Sequence, residues 1–267
     1  MAILTISREY GAGGREIGRR VARRLRYEYV DKEKLFQDLD RQGRRWGEVA
    51  RQLDEVCPTF WERHDWQYRG YIALMESFIF DLAARDNVVL IGRGGFWLLR
   101  EVPHCLKVRL VAPLEVRLER IMLQESLDQN AARALLRRVD EDRACYLKAN
   151  YDKAWEAQSN YDLVLNTGAL SYDQVVEMLC QTLAAKDGLA TDEARARLAD
   201  QALAHRLKAK LATDARILLP TLEVFWADDG ALVVEGVIHN PKEQELVKAI
   251  AREAADATPV RFELKHR

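Results

Sequence analysis

Several features are missing from this sequence, and each absence excludes a class of protein. No apolar run approaches the roughly 18 residues that a membrane-spanning helix needs. The N-terminus places only Ile3, Leu4 and Ile6 before the polar Ser7, so we expect no signal peptide and a cytoplasmic chain. The formal net charge of −1 excludes a strongly basic protein that coats nucleic acid. We therefore expect neither nucleic acid nor an integral membrane among its partners.

Closely spaced cysteines are also missing. Cys57, Cys105, Cys145 and Cys180 are far apart in the chain, without a CxxC motif or a paired histidine. This spacing supports neither a zinc site nor a thioredoxin-like motif. Because thiols are kept reduced in the cytoplasm, we expect these cysteines to be free.

Lysine is scarce, with 11 residues against 30 arginines. Arginine holds a phosphate through a bidentate fork, whereas lysine acts as a point charge. As a bulk number, the excess is explained most simply by the base composition of a GC-rich genome. The positions of individual arginines are more informative, since Arg19, Arg20, Arg23 and Arg24 fall on the solvated faces of a predicted helix.

Strand and helix patterns alternate along the first 186 residues. Such alternation predicts an α/β fold, in which a parallel sheet is covered by helices on both faces. The predicted strands are Ala2–Ser7, Tyr27–Asp31, Asn87–Ile91, Cys105–Val111 and Tyr161–Leu165. The predicted helices cover about residues 15–26, 32–56, 64–85, 114–125, 129–150 and 171–185.

The pattern changes after Lys186. Residues 187–200 are Ala-rich and charged, and we interpret them as a linker, with a part-helical linker as one form of it. Residues 201–267 indicate the order helix, strand, strand, helix, strand (αββαβ), with Asp228-Asp229-Gly230 as a hairpin turn. The sequence thus predicts one domain at residues 1–186 and a small α+β domain at residues 201–267.

A glycine-rich turn joins the first strand to the first helix, in the segment SREYGAGGREIG from Ser7 to Gly18. Glycines let the backbone approach an anion closely, and a helix N-terminus favours negative charge. Arg15 lies in the first helical turn, where the helix dipole disfavours a cation unless an anion is bound. The alternative is an ordinary turn with an exposed arginine. The predicted phosphate-binding residues are Tyr10, Gly11, Ala12, Gly13, Gly14, Arg15 and Glu16.

A Walker A motif is absent from this turn. The pattern requires Gly, Lys and Ser or Thr where this sequence has Arg8, Gly14 and Arg15. Both the usual phosphate-binding lysine and the hydroxyl that holds Mg²⁺ are therefore missing. A phosphoryl-transfer function needs other residues in these two roles.

Several ordered motifs resemble the cytidylate-kinase-like family, a P-loop branch of the nucleoside monophosphate (NMP) kinases with an SRxYGxGGREIG loop. The loop is followed by YVDKEKL, VVLIGRGG and RRVDEDRACYLKANY, so the resemblance covers about residues 1–185. This family lacks the Walker lysine in the same way. The resemblance implies a P-loop NMP-kinase-like core that transfers a phosphoryl group from ATP, with Mg²⁺, to an acceptor of the CMP type.

The resemblance also implies roles around the donor. Gly11, Gly13 and Gly14 would hold the donor phosphates, and Arg15 would supply the charge of the missing lysine. Glu16, near the position of the missing hydroxyl, would hold the metal through water. Asn166 and Thr167, after the last predicted strand of the core, would lie near the donor base.

Two candidates for the acceptor site follow predicted strands, and the carboxyl ends of parallel strands are where ligands bind. Arg93 lies between Gly92 and Gly94, and the resemblance implies contact with the acceptor nucleotide. The alternative is a surface-turn residue. Asp31 is a similar candidate, with the N-cap of the following helix as the alternative.

A charged helix at residues 133–143 matches the lid of the related kinases. The resemblance implies that Asp140 and Arg143 contact the acceptor, and that Arg137 or Arg138 neutralises the transferring phosphate. The alternative is a solvated helix, since Arg133 and Arg137 share one helical face. The predicted catalytic residues are Arg15, Arg137, Arg138 and Arg143, and the predicted NMP-binding residues are Asp31, Arg93, Asp140 and Arg143.

Residues 201–267 resemble a BON domain, a small α/β module of envelope-associated and some cytosolic proteins. The resemblance rests on Asp229-Gly230-Ala231-Leu232, on Gly236 and on the following helix. The Gly-Val of that family is replaced by Thr258-Pro259-Val260. The resemblance implies ligand sensing, self-association or partner docking, and no catalysis. The alternative is a stabilising extension without a ligand.

Three functional hypotheses follow. The first is an active NMP kinase with a C-terminal regulatory module. The second is a nucleotide-binding sensor that has lost catalysis, with a BON-like domain that docks a partner or lipid. The third is a scaffold at the membrane surface that acts through the C-terminal module.

Overall fold

The chain divides into two compact units. A computed structural model describes residues 1–42, 44–256 and 258–266. The first unit comprises Met1–Pro58 with Arg85–Ala194, and the second comprises Thr59–Ala84 with Arg195–Arg267. Much of the predicted linker at residues 187–200 is helical, because a helix begins at Asp192. The division into a domain at residues 1–186 and a domain at residues 201–267 stays a prediction.

A five-stranded parallel sheet forms the centre of the first unit, in the order β2–β3–β1–β4–β5. This sheet confirms the predicted α/β class. The central strand β1 pairs with β3 and β4, and Leu4 lies opposite Val89 and Leu106. Its apolar run is continuous because both faces of the strand are buried. The strands are β1 (Ile3–Arg8), β2 (Glu28–Val30), β3 (Val88–Ile91), β4 (Cys105–Val111) and β5 (Leu163–Asn166).

Helices cover the sheet and carry the candidate residues. In chain order they are α1 (Gly14–Leu25), α2 (Lys32–Gln42), α3 (Arg44–Leu53), α4 (Trp66–Ala83), α5 (Gly95–Leu98), α6 (Leu114–Glu125), α7 (Gln129–Tyr151), α8 (Tyr172–Asp187), α9 (Asp192–Thr213) and α10 (Pro241–Ala255). The single helical stretch predicted at residues 32–56 is two helices, α2 and α3. Short 3-10 turns occupy Glu62–His64 and Gln158–Asn160.

The core of the first unit lies between the sheet and the helices α1 and α8. Ile17 of α1 and Leu179 of α8 are fully buried in one cluster with Leu4 and Leu106. On the other face, the indole Nε1 of Trp155 donates to Ser7 Oγ at 2.8 Å. Both faces of β1 are therefore packed, which leaves the carboxyl end of the strand as the place for a site.

The second unit contains the predicted αββαβ order as α9, β6 (Leu222–Trp226), β7 (Leu232–Ile238), α10 and β8 (Val260–His266). Strands β6 and β7 form the predicted hairpin, with Gly230 in the left-handed region at φ 79°. Strand β8 pairs in parallel with β7. Helix α4 belongs to this unit, where the ring of His205 stacks on Phe80 at 4.2 Å. Within the described residues, no helix has the length and apolarity needed to cross a membrane.

Candidate functional site

A cavity of about 1260 Å³ opens at the carboxyl ends of β1 and β3. The turn after β1 and the start of α1 line one part of it, and the segment after α3 lines another. Helices α6 and α7 contribute the remaining polar wall. The predicted residues that line it are Tyr10, Gly11, Gly13, Gly14, Arg15, Glu16, Asp31, Arg93, Arg138 and Arg143.

The glycine-rich turn depends on its glycines. Gly13 has a φ of 81°, and a Cβ built there would lie 2.3 Å from Tyr172 Oη. Gly14 begins α1, and a Cβ there would lie 2.8 Å from Arg8 Cγ. Among the described residues no side chain caps this helix, so its first N–H groups are available to an anion. Ala12 is fully buried in the core and does not line the cavity.

Two arginines of α6 brace the turn from behind. Arg120 donates to Gly11 O at 3.2 Å and to Thr167 Oγ1 at 3.0 Å. Thr167 Oγ1 in turn donates to Ala12 O at 3.1 Å. Arg117 donates to Tyr10 O at 3.2 Å and forms an ion pair with Asp140 at 2.5 Å. These bonds hold the turn against β5 and α7.

Three arginines converge on one carboxylate beside this turn. Arg8 donates to both oxygens of Glu55, each at 2.9 Å, and Arg143 Nε donates to Glu55 Oε2 at 3.2 Å. The backbone N–H of Arg93 donates to Glu55 Oε1 at 2.9 Å. The side chain of Arg93 grips Asp54 with two bonds of 2.9 and 2.6 Å. An anion site is thus present, and two of the chain's own carboxylates fill it.

The charges in this cluster support one another. Burial alone would raise the pKa of Glu55, but Arg8, Arg143 and Arg93 hold that pKa well below its usual range. Burial and the nearby Arg8 lower the pKa of Arg143 to about 10, against the opposing pull of Glu55. Glu55 is therefore ionised at neutral pH, and its carboxylate matches the charge that a phosphate would bring.

Arg93 is held by an unusual backbone. Gly92, Arg93 and Gly94 have φ values of 81°, 53° and 72°. In this conformation the Arg93 N–H is directed at the Glu55 carboxylate, while the Gly92 N–H donates to Ile6 O at 3.0 Å. A Cβ on Gly92 would lie 2.2 Å from Glu55 Oε1, so only glycine admits the carboxylate here. Arg93 is buried, which differs from the surface-turn alternative.

The lid residues separate into two groups. Arg138 and Arg143 line the cavity. Arg137 does not; its side chain is 79% exposed and paired with Glu141 at 3.6 Å. Asp140 also lies outside the lining, because it accepts from the Tyr10 N–H at 2.8 Å and pairs with Arg117. The resemblance left open whether Arg137 or Arg138 contacts the transferring phosphate, and only Arg138 lines the cavity.

The remaining predicted residues have partners within the chain. Asp31 Oδ1 accepts from the N–H groups of Glu33 and Lys34, so it caps α2 while it also lines the cavity. Burial opposes its ionisation, but these bonds and Arg19 lower its pKa. Arg15 pairs with Glu33 at 3.3 Å, and both side chains are half exposed. Asn166 Oδ1 accepts from Gly168 N, and Asn166 does not line the cavity.

Sequence reasoning missed Arg8, Arg117, Arg120, Asp54 and Glu55 as site residues. The sequence marked Arg8, at the end of β1, only as a residue that replaces the first glycine of the Walker A motif. Arg117 and Arg120 are three residues apart on α6, which places them on one helical face. No signal in the sequence links Glu55 to Arg143, because the contact spans 88 residues.

The expectation of free cysteines is wrong for one pair. Cys57 and Cys145 form a disulfide, with their Cα atoms 5.1 Å apart. Wide spacing in sequence did not predict this, because the segment after α3 folds back onto α7. Cys105 and Cys180 are free and buried. Burial raises the pKa of the Cys105 thiol to about 12, which keeps it unreactive.

The family resemblance implies ATP with Mg²⁺, and one acidic residue of the cavity wall suits an ion that is held mainly by water and phosphate. The described residues form no group of three or more acidic, histidine or cysteine side chains that could hold a metal. Mg²⁺ keeps several waters and is often held by one or two carboxylates with substrate phosphates. Glu16 supplies one carboxylate on the cavity wall, where it pairs with Arg20 at 2.7 Å.

Comparisons with known proteins agree with this architecture. A uronate isomerase of Corynebacterium glutamicum is 36% identical over 104 residues, which cover 39% of this chain but only 20% of the isomerase. A cytidylate kinase of Haloarcula marismortui is 28% identical over 62% of this chain and 80% of its own length. An uncharacterized protein from Eubacterium ventriosum has a crystal structure with a TM-score of 0.54 at 17% identity, covering 69% of this chain and 99% of that one. The last likeness shows the fold alone.

The family comparison covers more of the chain. Residues 3–169 match the model of the cytidylate kinase-like family. This match and the cytidylate kinase relatives support the class of nucleotide kinases. Within that class, the chain belongs to the cytidylate kinase-like family.

Proposed function

We propose that this protein is an NMP kinase that transfers the γ-phosphoryl group of ATP to CMP or dCMP. The observation that carries the proposal is the single cavity shared by the glycine-rich turn and the arginines Arg93 and Arg143. Phosphoryl transfer requires two phosphate-bearing ligands held in line, with their charge neutralised. One cavity with an anion site at each of two strand ends meets that requirement.

The donor side of the proposal uses the turn and α1. The backbone of Gly11, Gly13 and Gly14 holds the donor phosphates at the N-terminus of α1. Arg15 supplies the positive charge of the absent lysine from the first turn of the helix. Glu16 holds Mg²⁺ through water, and the ion neutralises charge on the phosphates when it is bound.

The acceptor side uses the arginine cluster. Arg93 and Arg143 hold the acceptor phosphate, with Arg8 as a further contact from the end of β1. Arg138 approaches from α7 to neutralise the transferring group. Asp31 lies on the same wall and contacts the acceptor nucleoside, while Asp140 positions Arg117 and the turn.

A coupled assay of ADP formation tests the proposal. The full chain is incubated with ATP, Mg²⁺ and each nucleoside monophosphate in turn, and binding of ATP is measured separately. We expect ADP formation with CMP or dCMP above the ATP-only rate. No ADP with any acceptor, together with measurable ATP binding, would leave the catalytically inactive nucleotide sensor as the function. The absent Walker lysine and hydroxyl are the observation that favours this second candidate.

The C-terminal module has a separate role in the proposal. We propose that residues 201–267 form a BON-like domain that docks a ligand, a partner or a second copy. The αββαβ order and the exposed Phe225 on β6 support this role. Sedimentation of the full chain alone and with anionic lipid vesicles tests it. A monomeric chain that stays in the supernatant would argue against both self-association and lipid docking.

A further inference from the structure

The carboxylate of Glu55 occupies a position built for a phosphate. It receives four hydrogen bonds, two from Arg8, one from Arg143 and one from the Arg93 N–H. Gly92 provides the space that the carboxylate needs. A bidentate arginine fork and backbone N–H groups are the groups that bind phosphate oxygens elsewhere.

The backbone at Glu55 is itself strained in this position. Glu55 has a φ of 53°, a left-handed conformation that is unfavourable for a residue with a Cβ. The residue lies in the connecting segment just after α3, next to Asp54, which occupies the fork of Arg93. The ion pairs therefore hold a segment whose left-handed residue follows the end of α3, as left-handed residues follow other helices of this chain.

A disulfide fastens the same segment. Cys57 lies two residues after Glu55, and Cys145 lies two residues after Arg143 on α7. The S–S bond thus ties the acidic segment to the helix that carries the arginine it contacts. Both cysteines are partly exposed, so a reductant can reach the bond.

We propose that Asp54 and Glu55 are an internal competitor for the acceptor phosphate, and that the Cys57–Cys145 disulfide is a redox latch that keeps them in place. This inference deepens the proposed function, because it rests on the assignment of Arg93 and Arg143 to the acceptor. With the disulfide closed, the arginines stay occupied by the chain's own carboxylates. With the disulfide open, the segment withdraws and the acceptor phosphate takes its place.

The opening step is a thiol–disulfide exchange. A dithiol reductant donates two electrons and two protons, and it leaves as its own disulfide. The S–S bond between Cys57 and Cys145 breaks, and each Sγ becomes a thiol. The covalent link between the segment and α7 is then gone, and only the ion pairs of Glu55 and Asp54 oppose the departure of the segment.

Calorimetric titration of the full chain in two redox states tests the latch. The probes are inorganic phosphate, which carries no base, and CMP. Alkylation of thiols before and after treatment with a dithiol establishes the state of the disulfide. We expect the reduced chain to bind both probes at least about tenfold more tightly, because the competent state is no longer masked. The affinity for ATP stays unchanged.

Four variants make the test specific. Cys57→Ser and Cys145→Ser are expected to bind phosphate with the affinity of the reduced chain under either condition. Glu55→Gln is expected to bind it tightly even when the disulfide is closed. Cys180→Ser, which removes a free buried thiol, is expected to respond to reduction as the unaltered chain does.

Different failures point to different conclusions. Redox-dependent phosphate binding without ADP formation leaves the latch standing and overturns the kinase function. Kinase activity with equal phosphate and CMP affinities in both redox states overturns the latch alone. An air-oxidised chain in which Cys57 and Cys145 still react with the alkylating reagent also overturns it.

Discussion

At Arg93, the main chain and the side chain serve the same anion position. The N–H contacts Glu55, while the guanidinium contacts Asp54 and the carbonyl of Ile91. A buried arginine of this kind is costly to leave without a counter-charge. A buried arginine at the end of β3 therefore favours anion binding more strongly than an exposed arginine at the same place would.

Replacement of the two candidate phosphate contacts tests their roles. We expect Arg15→Ala and Arg93→Ala each to lower kcat/KM by at least about tenfold, because each loses one charged phosphate contact. Steady-state kinetics with varied ATP and CMP measure the effect, and circular dichroism checks folding. Arg24→Ala on α1 and Arg100→Ala after α5 remove exposed arginines and serve as controls. Near-native turnover in either test variant would remove that residue from the site.

The ionisation of Glu55 predicts how stability depends on pH. Its pKa is lowered in the folded chain, so its contribution is present above the ordinary carboxyl pKa of about 4.3 and is lost as the pH falls through the lowered value. Glu55→Gln should destabilise the chain by about 3 kcal/mol at pH 6, since it removes the carboxylate that neutralises Arg8 and Arg143. The difference from the unaltered chain should shrink in acid. Urea unfolding at several pH values measures it, with the exposed Glu119→Gln as the control. A difference that grows in acid would contradict the ion cluster.

At the residue scale, the family resemblance pointed to residues whose roles stay predictions: Arg137 and Asp140 lie outside the cavity lining, while others line it. Arg93, Arg138 and Arg143 were found through the family resemblance, and all three line the cavity. Asp54 and Glu55 were not found, because a carboxylate after a helix looks like any solvated surface group. Their importance comes from three arginines that other parts of the chain bring to them.

Among the elements, the turn between β1 and α1 has little room for added atoms. Gly13 combines a left-handed backbone with a clash against Tyr172 for any Cβ. Both conditions follow from the close approach of α8 to the start of α1. The turn is therefore fixed by its surroundings and keeps its shape before any ligand binds.

A pair of glycine substitutions measures this constraint. Gly13→Ala should weaken ATP binding by at least about tenfold and lower the free energy of unfolding, because the alanine is strained whatever space it finds. Gly188→Ala is the matched control, since its φ is −65° and a Cβ there meets nothing within 4 Å. That control should be neutral or slightly stabilising. Equal effects of the two substitutions on ATP titration and urea unfolding would show that the turn does not need its glycine.

Elements with strong periodicity were predicted closely. The strand Cys105–Val111 and the helix at residues 114–125 coincide with β4 and α6. Prediction was weaker at residues 32–56, where polar residues hide the division into α2 and α3. The sheet order was not predictable from periodicity, because it depends on which strands pair across long crossovers.

Over the whole molecule, the arginine excess is neutralised locally. Arg20 pairs with Glu16 and Asp173, Arg24 pairs with Glu177, and Arg51 pairs with Asp40. The formal net charge of −1 follows from 41 basic and 42 acidic residues, and the ion pairs place the two signs side by side. We therefore expect the arginines of the cavity to attract a small anion that enters it, and we expect no extended basic surface.

This charge distribution predicts weak binding to polyanions. We expect the full chain to elute from a heparin column below about 0.15 M salt, because few contacts would release counterions. Added CMP should leave the elution position unchanged. Retention at much higher salt would indicate an extended basic surface and would contradict a site made for one small anion.

The disulfide between Cys57 and Cys145 has an energetic consequence of its own. A cross-link between residues 88 positions apart restricts the unfolded chain, which by the chain-entropy model stabilises the fold by about 4.5 kcal/mol. If the same bond keeps the acceptor position filled, the oxidised chain is the more stable form against unfolding. The reduced chain is the form whose acceptor position is open to a ligand. Reduction of this one bond would then lower the resistance of the chain to unfolding and raise its capacity to bind the acceptor. The oxidised chain would act as a storage form that becomes active when the concentration of thiols rises.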